Sequence, residues 1–210
     1  MARPREFERD DALQQAIRVF CDKGYAAAST DELMRAMRIS RQSMYNTFGD
    51  KRQLYMEALR RYHADSVSDL IRRLGKAASP LAGLESALLA FASRPEFEGT
   101  VGCMGVNAIC EFGRTEPEIA LLGEASAHTL ISALERSLRE ARSQGEVDPA
   151  MDERLAARFL LSTLSGMKIS AKAGATPQDL RDIAHFALRS LRASANQSAT
   201  GPGLAGGSGK

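Results

Sequence analysis

Apolar positions along the chain recur at the three-to-four-residue spacing of helices, with short polar or Gly/Pro-marked breaks between them. In DDALQQAIRVFCDKGY, residues 10–25, Leu13, Ala16, Ile17 and Phe20 share a face. Asp10 and Asp11 suit the start of that helix and Gly24 its end. In AAASTDELMRAMRIS, Ser29 or Thr30 can cap a helix with Asp31 and Glu32 in its first turn and Leu33 and Met37 four apart. Ile39 fills a short connection. Ser40 then caps RISRQSMYNTFGDK, residues 38–51, a helix of barely two turns with Met44 and Phe48 on its buried face.

Two helices joined by roughly 3–4 residues, the second short and polar on one side, describe a helix-turn-helix. Ile17, Phe20, Leu33, Met37, Ile39, Met44 and Phe48 supply its small core. With Met44 and Phe48 facing inward, Gln42, Ser43 and Asn46 face outward, flanked by Arg41 and Thr47. Such a face suits the major groove, where guanidinium groups, amides and hydroxyls meet base edges.

Asp50 reads as the cap of a long helix carrying Leu54, Ala58, Tyr62, Val67, Leu70 and Leu74, a lever toward the rest of the chain. KAASP breaks it, and Pro80 opens a helix over 81–92. RPEFEGTVG reads as a loop, CMGVNAICEFG as a short apolar helix, and 116–145 as a long amphipathic helix. Helices over 151–174 and from Pro177 to about Arg192 complete the pattern. The expectation is an all-α chain: a helix-turn-helix domain over 1–50, a helical body over 51–194 and, at 195–210, a Gly/Ser/Ala-rich tail too poor in apolar residues to order itself.

The composition of the 210 residues, 44% hydrophobic and 26% charged, is that of a globular chain. There is no apolar run of the roughly 18 residues that a membrane span needs, and MARPREFERDD lacks the apolar centre of a secretory signal. A cytoplasmic protein is expected. The net charge of +2 is unevenly spread: Arg35, Arg38, Arg41, Lys51 and Arg52 stand against Asp50 alone. That local excess favours a phosphate backbone as partner. Three cysteines without a CxxC pair and three scattered histidines point to neither a disulfide scaffold nor a metal site. No G-x-S-x-G or P-loop pattern is present, so neither an enzyme nor a cofactor is expected.

AIRVFCDKGYAAASTDELMRAMRISRQSMYNTFGDKRQLY resembles the DNA-binding domain of TetR-family transcriptional regulators, over roughly residues 8–62. Its last part is similar to the family pattern G-V-S-x-x-x-L/I-Y-x-x-F-x-x-K-x-x-L, with Arg38 in place of the glycine. If that position is left-handed, Arg costs about 1 kcal/mol relative to Gly. The resemblance implies a homodimer on a palindromic operator, most simply a repressor that a small-molecule effector releases. By motif position it implies Arg41, Gln42 and Ser43 at or near base edges and Thr30, Tyr45, Thr47 and Lys51 on phosphates.

The resemblance also implies that the last two helices pair with their symmetry mates. Leu155, Phe159, Leu160, Leu164 and Met167, with Ile183, Phe186, Ala187 and Leu191, form stripes that fit either an interface or an internal core. Small residues Ser162, Ser165 and Gly166 would permit close approach. An effector pocket is expected among residues 81–170, with Asn107 as a polar anchor beside Cys103 and Cys110, which lie seven apart as on one helix face. The GC-x-x-VN-x-x-x-E pattern there resembles a stretch in a subset of TetR regulators, some of which sense electrophiles or oxidants through a cysteine. Thiol sensing through Cys103 or Cys110 is the alternative; two buried, inert thiols are the plainer one.

Overall fold

The computed structural model describes residues 3–92 and 102–192, with side chains from Arg9 to Ala90 in the first stretch. The loop expected at 94–102, apart from Gly102, and the tail at 195–210 lie outside the described residues. Nine helices and no strand occur among the described residues: α1 Arg3–Ala27, α2 Thr30–Met37, α3 Arg41–Phe48, α4 Lys51–Lys76, α5 Pro80–Ala92, α6 Met104–Phe112, α7 Pro117–Ser143, α8 Glu153–Lys172 and α9 Pro177–Arg189. The helix starts follow local chemistry. Ser29, Ser40, Asp50, Asp152 and Thr176 each accept a backbone N–H from the first turn, and proline opens α5, α7 and α9. α1 starts seven residues earlier than the periodicity from Asp10 predicts, and it breaks at Gly24 (φ 78°, ψ −170°), where the stop was expected.

The apolar side chains gather into two clusters. The first joins Leu13, Ala16, Ile17 and Phe20 of α1 to Leu33, Met37, Met44 and Phe48, then runs on into Leu54, Tyr55, Ala58 and Leu59 of α4, Met104 and Ala108 of α6 and Ile119 of α7. The second is built from Leu70 at the far end of α4 with α5, α7, α8 and α9, around Leu84, Leu138, Leu160, Met167 and Leu180. α4 and α7 therefore contribute to both. The first cluster extends well past residue 50, because Tyr55, Met56 and Leu59, absent from the predicted stripe of α4, are buried while Tyr62, Val67 and Leu74 are only half so.

The stripes of the last two helices divide. Leu160, Met167, Ala187 and Leu191 turn into the second cluster, whereas Leu155, Phe159, Ile183 and Phe186 remain exposed, Phe186 at 67%. No helix among the described residues is long and apolar enough to cross a membrane.

Candidate nucleic-acid interface

The turn between α2 and α3 is made by Arg38, which sits in the left-handed region (φ 56°, ψ 39°). Its N–H donates to Arg35 O (3.3 Å) and that of Ile39 to Met34 O (3.2 Å), closing the end of α2 without glycine. Ser40 then accepts from Ser43 N at 3.1 Å and starts α3. Met44 (0% exposed) and Phe48 (5%) pin that helix to α1 and α2, so its remaining side chains have nowhere to go but outward.

Arg41, Gln42, Ser43, Tyr45, Asn46 and Thr47 are all exposed, and Thr30, half-buried, opens α2 beside them. Tyr45 is 48% exposed, so its ring is not a wedge in the small core. Arg41 Nη2 lies 2.6 Å from Asp31 Oδ1, an ion pair in the open that a competing partner can displace cheaply. Lys51 Nζ sits 4.4 Å over the Tyr25 ring. Partial burial pulls its ammonium below the usual lysine range, and Glu111 offsets part of that. The basic excess near the head is smaller than the sequence count, because Arg52 turns toward Glu116 (3.2 Å) and Glu118 (3.5 Å) at the start of α7.

The body candidates do not come together as expected. Cys103 is the extended N-cap residue of α6 (φ −128°, ψ 116°) and is buried, while Cys110, inside the helix, is exposed. A seven-residue spacing aligns two side chains only when both lie within the helix, so the shared face is lost. Tyr62 Oη donates to Cys103 Sγ at 2.9 Å. Burial pushes the Cys103 thiol up, but Lys168, the Tyr62 hydroxyl and the N–H groups of Val106 and Gly105 together outweigh it and bring the thiol below its ordinary value.

Asn107 is buried too, with both ends of its amide engaged. Its Nδ2 donates to the carbonyls of Phe20 (3.0 Å) and Cys21 (2.8 Å), and its Oδ1 accepts from Lys172 Nζ at 3.1 Å.

Among the described residues, a cavity of about 370 Å³ lies between α4 and α7, walled by Arg60, His63, Val67, Ile71, Leu122 and Ser126 among others. Its α4 wall falls outside the 81–170 span expected for a pocket, and none of Cys103, Asn107 and Cys110 lines it. His63 adjoins Cys103 through Gly105 and is itself shifted below the usual imidazole value, by burial first and Lys168 second. A second cavity, about 400 Å³, lies between α5 and α9 and carries Glu85, Asp182, His185 and Arg189. No cluster of three or more metal-ligating side chains occurs among the described residues. The sequence assigns no role at this place to His63, Lys168 or Lys172, reads Tyr62 only as part of an apolar stripe, and holds Glu111 only as the last position of the GC-x-x-VN-x-x-x-E pattern, four residues after Asn107.

Residues 77–198 match the model of the tetracyclin repressor-like C-terminal domain, and residues 12–58 match that of the bacterial regulatory proteins of the tetR family. The chain belongs to the TetR family. It is a DNA-binding transcriptional regulator, of a class that is not enzymatic. Relatives align over nearly the whole chain. The HTH-type transcriptional regulator YezE of Bacillus subtilis is 28% identical over 193 residues, 91% of this chain and 100% of its own. The HTH-type transcriptional repressor ComR of Escherichia coli is 29% identical over 192 residues, 89% of this chain and 90% of its own. A cysteine-substituted form of the TetR-family regulator CifR, solved in complex with a 26-bp double-strand operator DNA, is 27% identical with a TM-score of 0.75, covering 87% of this chain and 95% of that one.

Proposed function

We propose that this TetR-family regulator is a homodimeric repressor that leaves a palindromic operator when a small effector binds its body. The observation that carries the reading is the outward polar face of α3, held by the buried Met44 and Phe48. Arg41 fits guanine O6/N7 and Gln42 fits adenine N6/N7, with Ser43 beside them. Thr30, Tyr45, Thr47 and Lys51 flank that face as phosphate ligands that set register. The operator complex of CifR and the repressor activity in the name of ComR support this direction. Residues 1–50 carry the reading helix, the first turns of α4 complete the core beneath it through Tyr55, Met56 and Leu59, and the rest of 51–194 is the effector-binding and dimerisation body. A regulator of chromosomal DNA works in the cytoplasm.

Dimerisation is supported by Leu155, Phe159, Ile183 and Phe186, exposed apolar side chains on α8 and α9. Effector binding is supported by the cavity between α4 and α7, where mostly apolar walls meet Arg60, His63 and Ser126. A ligand there bears directly on α4, whose first turns belong to the head cluster and whose far end belongs to the body. A differential affinity of a hundredfold, about 2.7 kcal/mol, suffices to move the head population, and by linkage operator DNA weakens effector binding by the same factor.

Sequencing the fragments that the protein retains from a genomic DNA pool tests the reading. A palindrome with half-sites about 34–36 Å apart is expected, bound with a steep salt dependence. A 22.7 kDa monomer with undiminished operator binding in sedimentation would sink the dimeric reading.

A second reading, sensing through a thiol, is supported by the helix-start position of Cys103 and its proximity to Lys168. Its test is the Cys103→Ser, Cys110→Ser double variant. Release of DNA that persists excludes it, and release that vanishes while fold and operator affinity remain makes Cys103 or Cys110 the sensor.

A further inference from the structure

The end of α1 has an unusual set of partners. Its break at Gly24 strands the last carbonyls of the helix and the first N–H groups beyond it, groups that must find partners elsewhere. They find them in the body. Asn107 Nδ2 takes the carbonyls of Phe20 and Cys21, and Lys172 Nζ takes that of Asp22 at 3.2 Å. Glu111 accepts Tyr25 N at 2.8 Å and Ala26 N at 2.7 Å, one on each carboxylate oxygen. Asn107 and Glu111 lie one turn apart on α6, and Lys172, the last residue of α8, ties back to Asn107 Oδ1.

Two glycines permit the approach. A Cβ at Gly102 would sit 1.7 Å from Cys21 O, and one at Gly24 would sit 1.9 Å from Glu111 Oε1, at a φ of +78° that other residues resist. Backbone polar groups of the head are thus satisfied by side chains that follow them by 85–87 and 150 residues.

We propose that Asn107, Glu111 and Lys172 form a clasp that sets the pose of the DNA-reading head on the body, and so are positioning residues for operator recognition. This rests on the reading that α3 binds an operator. α4 is the covalent connection between head and body, and Met104, Ala108 and Ile119 add apolar contacts to it, which hold the two parts together but are not directional. The clasp adds directional hydrogen bonds that fix the angle at which the two parts meet. It grips α1, on whose Phe20, Ile17 and Leu13 the core beneath α2 and α3 is built, so the reading helix turns with it. It also brings Glu111 close to Lys51, one of the residues assigned to phosphate. Because α6 adjoins Tyr62 and His63 of α4 through Cys103 and Gly105, a shift at the neighbouring cavity reaches the clasp without unfolding either part.

The test uses the full-length protein, the duplex recovered from the genomic pool and a scrambled duplex of equal length. Lys172→Met and Glu111→Gln, both at exposed positions, are expected to weaken operator binding about tenfold while scrambled binding moves less than about twofold. Gly102→Ala, which removes no polar group, is expected to do the same. Nitroxide labels at Asn46→Cys and Glu140→Cys, in a Cys110→Ser background diluted with unlabelled protein, should show a broader head-to-body distance in each variant. A lower melting temperature with operator affinity and label distance unchanged would overturn the proposal, since the three residues would then be structural only. Asn107→Ala is a fourth variant; should it fail to fold, the two exposed substitutions decide. If the unmodified protein retains no duplex, the operator reading has failed and the label distances alone judge the clasp: broadening supports it, and an unchanged distribution rejects it.

Discussion

α3 and α6 are both helices of two turns or slightly more, and both bury apolar residues in the same cluster, yet they use their polar groups differently. α3 buries Met44 and Phe48 and presents Arg41, Gln42, Ser43 and Asn46 to solvent. α6 buries Met104, Asn107 and Ala108, presents Ile109 at 70% exposure, and aims Asn107 and Glu111 at the backbone of α1. In the first helix apolar contacts hold the element and polar groups are left for a partner. In the second, polar groups take part in the holding. Residue type alone does not say which side of a short helix is its mounting.

The largest effect that separates the two helices is in their apolar side chains. Met44→Ala should cost about 2–5 kcal/mol and abolish specific DNA binding, because a fully buried side chain is deleted from a two-point anchor. Ile109→Ala should change stability by less than about 0.5 kcal/mol, as exposed positions do. Thermal unfolding of the two variants compares them directly. An Ile109→Ala loss as large as that of Met44→Ala would break the contrast, since it would mean that a partner covers the outer face of α6.

A smaller effect separates roles within the reading head. Arg41→Ala should lower operator affinity by about 1–3 kcal/mol and relax preference at particular base pairs. Lys51→Ala should weaken all duplexes alike and flatten the salt dependence. Asp31→Ala, which breaks the exposed pair with Arg41, should leave stability within about 1 kcal/mol. A salt series of binding isotherms on cognate and scrambled duplexes distinguishes the three. The assignment of α3 as reader and Lys51 as phosphate ligand fails if Lys51→Ala changes base preference and Arg41→Ala does not.

Most of the helical order was legible because it is written in local signals. Ser29, Ser40, Asp50 and Thr176 cap within three residues of the N–H groups they accept, and Gly24, Pro80 and Pro177 act on their own backbone. The outward face of α3 was legible for the same reason, since Met44 and Phe48 fix the phase of a helix too short to hide anything else. The body was read less well. Asn107 looked like a pocket anchor because a polar residue in an apolar helix commonly is one, and its partners on α1 are 86 and 87 positions away. The spacing puts Cys103 and Cys110 on one face only if α6 begins at Cys103, and it begins at Met104. Leu155 and Leu160 read as one stripe although one is exposed and the other buried, because both an internal core and an outer face run along α8.

The smallest effect concerns the seam where α3 and α6 share a core. Tyr55 of α4 lies there at 1% exposure, its ring edge-on to Phe20 and Tyr25 at 5.0 Å and tilted to Phe112, the last residue of α6, at 5.7 Å. Its hydroxyl has no hydrogen-bond partner among the described residues. Burial, with smaller contributions from Glu111, Cys21 and Tyr25, pushes the phenol well above its usual range, so it stays neutral at any pH at which the protein is handled. An orphaned hydroxyl is a desolvation cost of about 1–3 kcal/mol with no return, whereas the ring contributes packing that phenylalanine keeps. Tyr55→Phe should therefore be neutral or stabilising, by no more than about 1 kcal/mol, which for a chain of this size raises the melting temperature by roughly 2–4 °C. Operator affinity should stay the same, since neither α3 nor the clasp is touched. A fall in melting temperature would show instead that the hydroxyl has a partner, a bridging water being the simplest. The seam would then be held by polar groups on both sides, as the mounting of α6 is, and unlike that of α3.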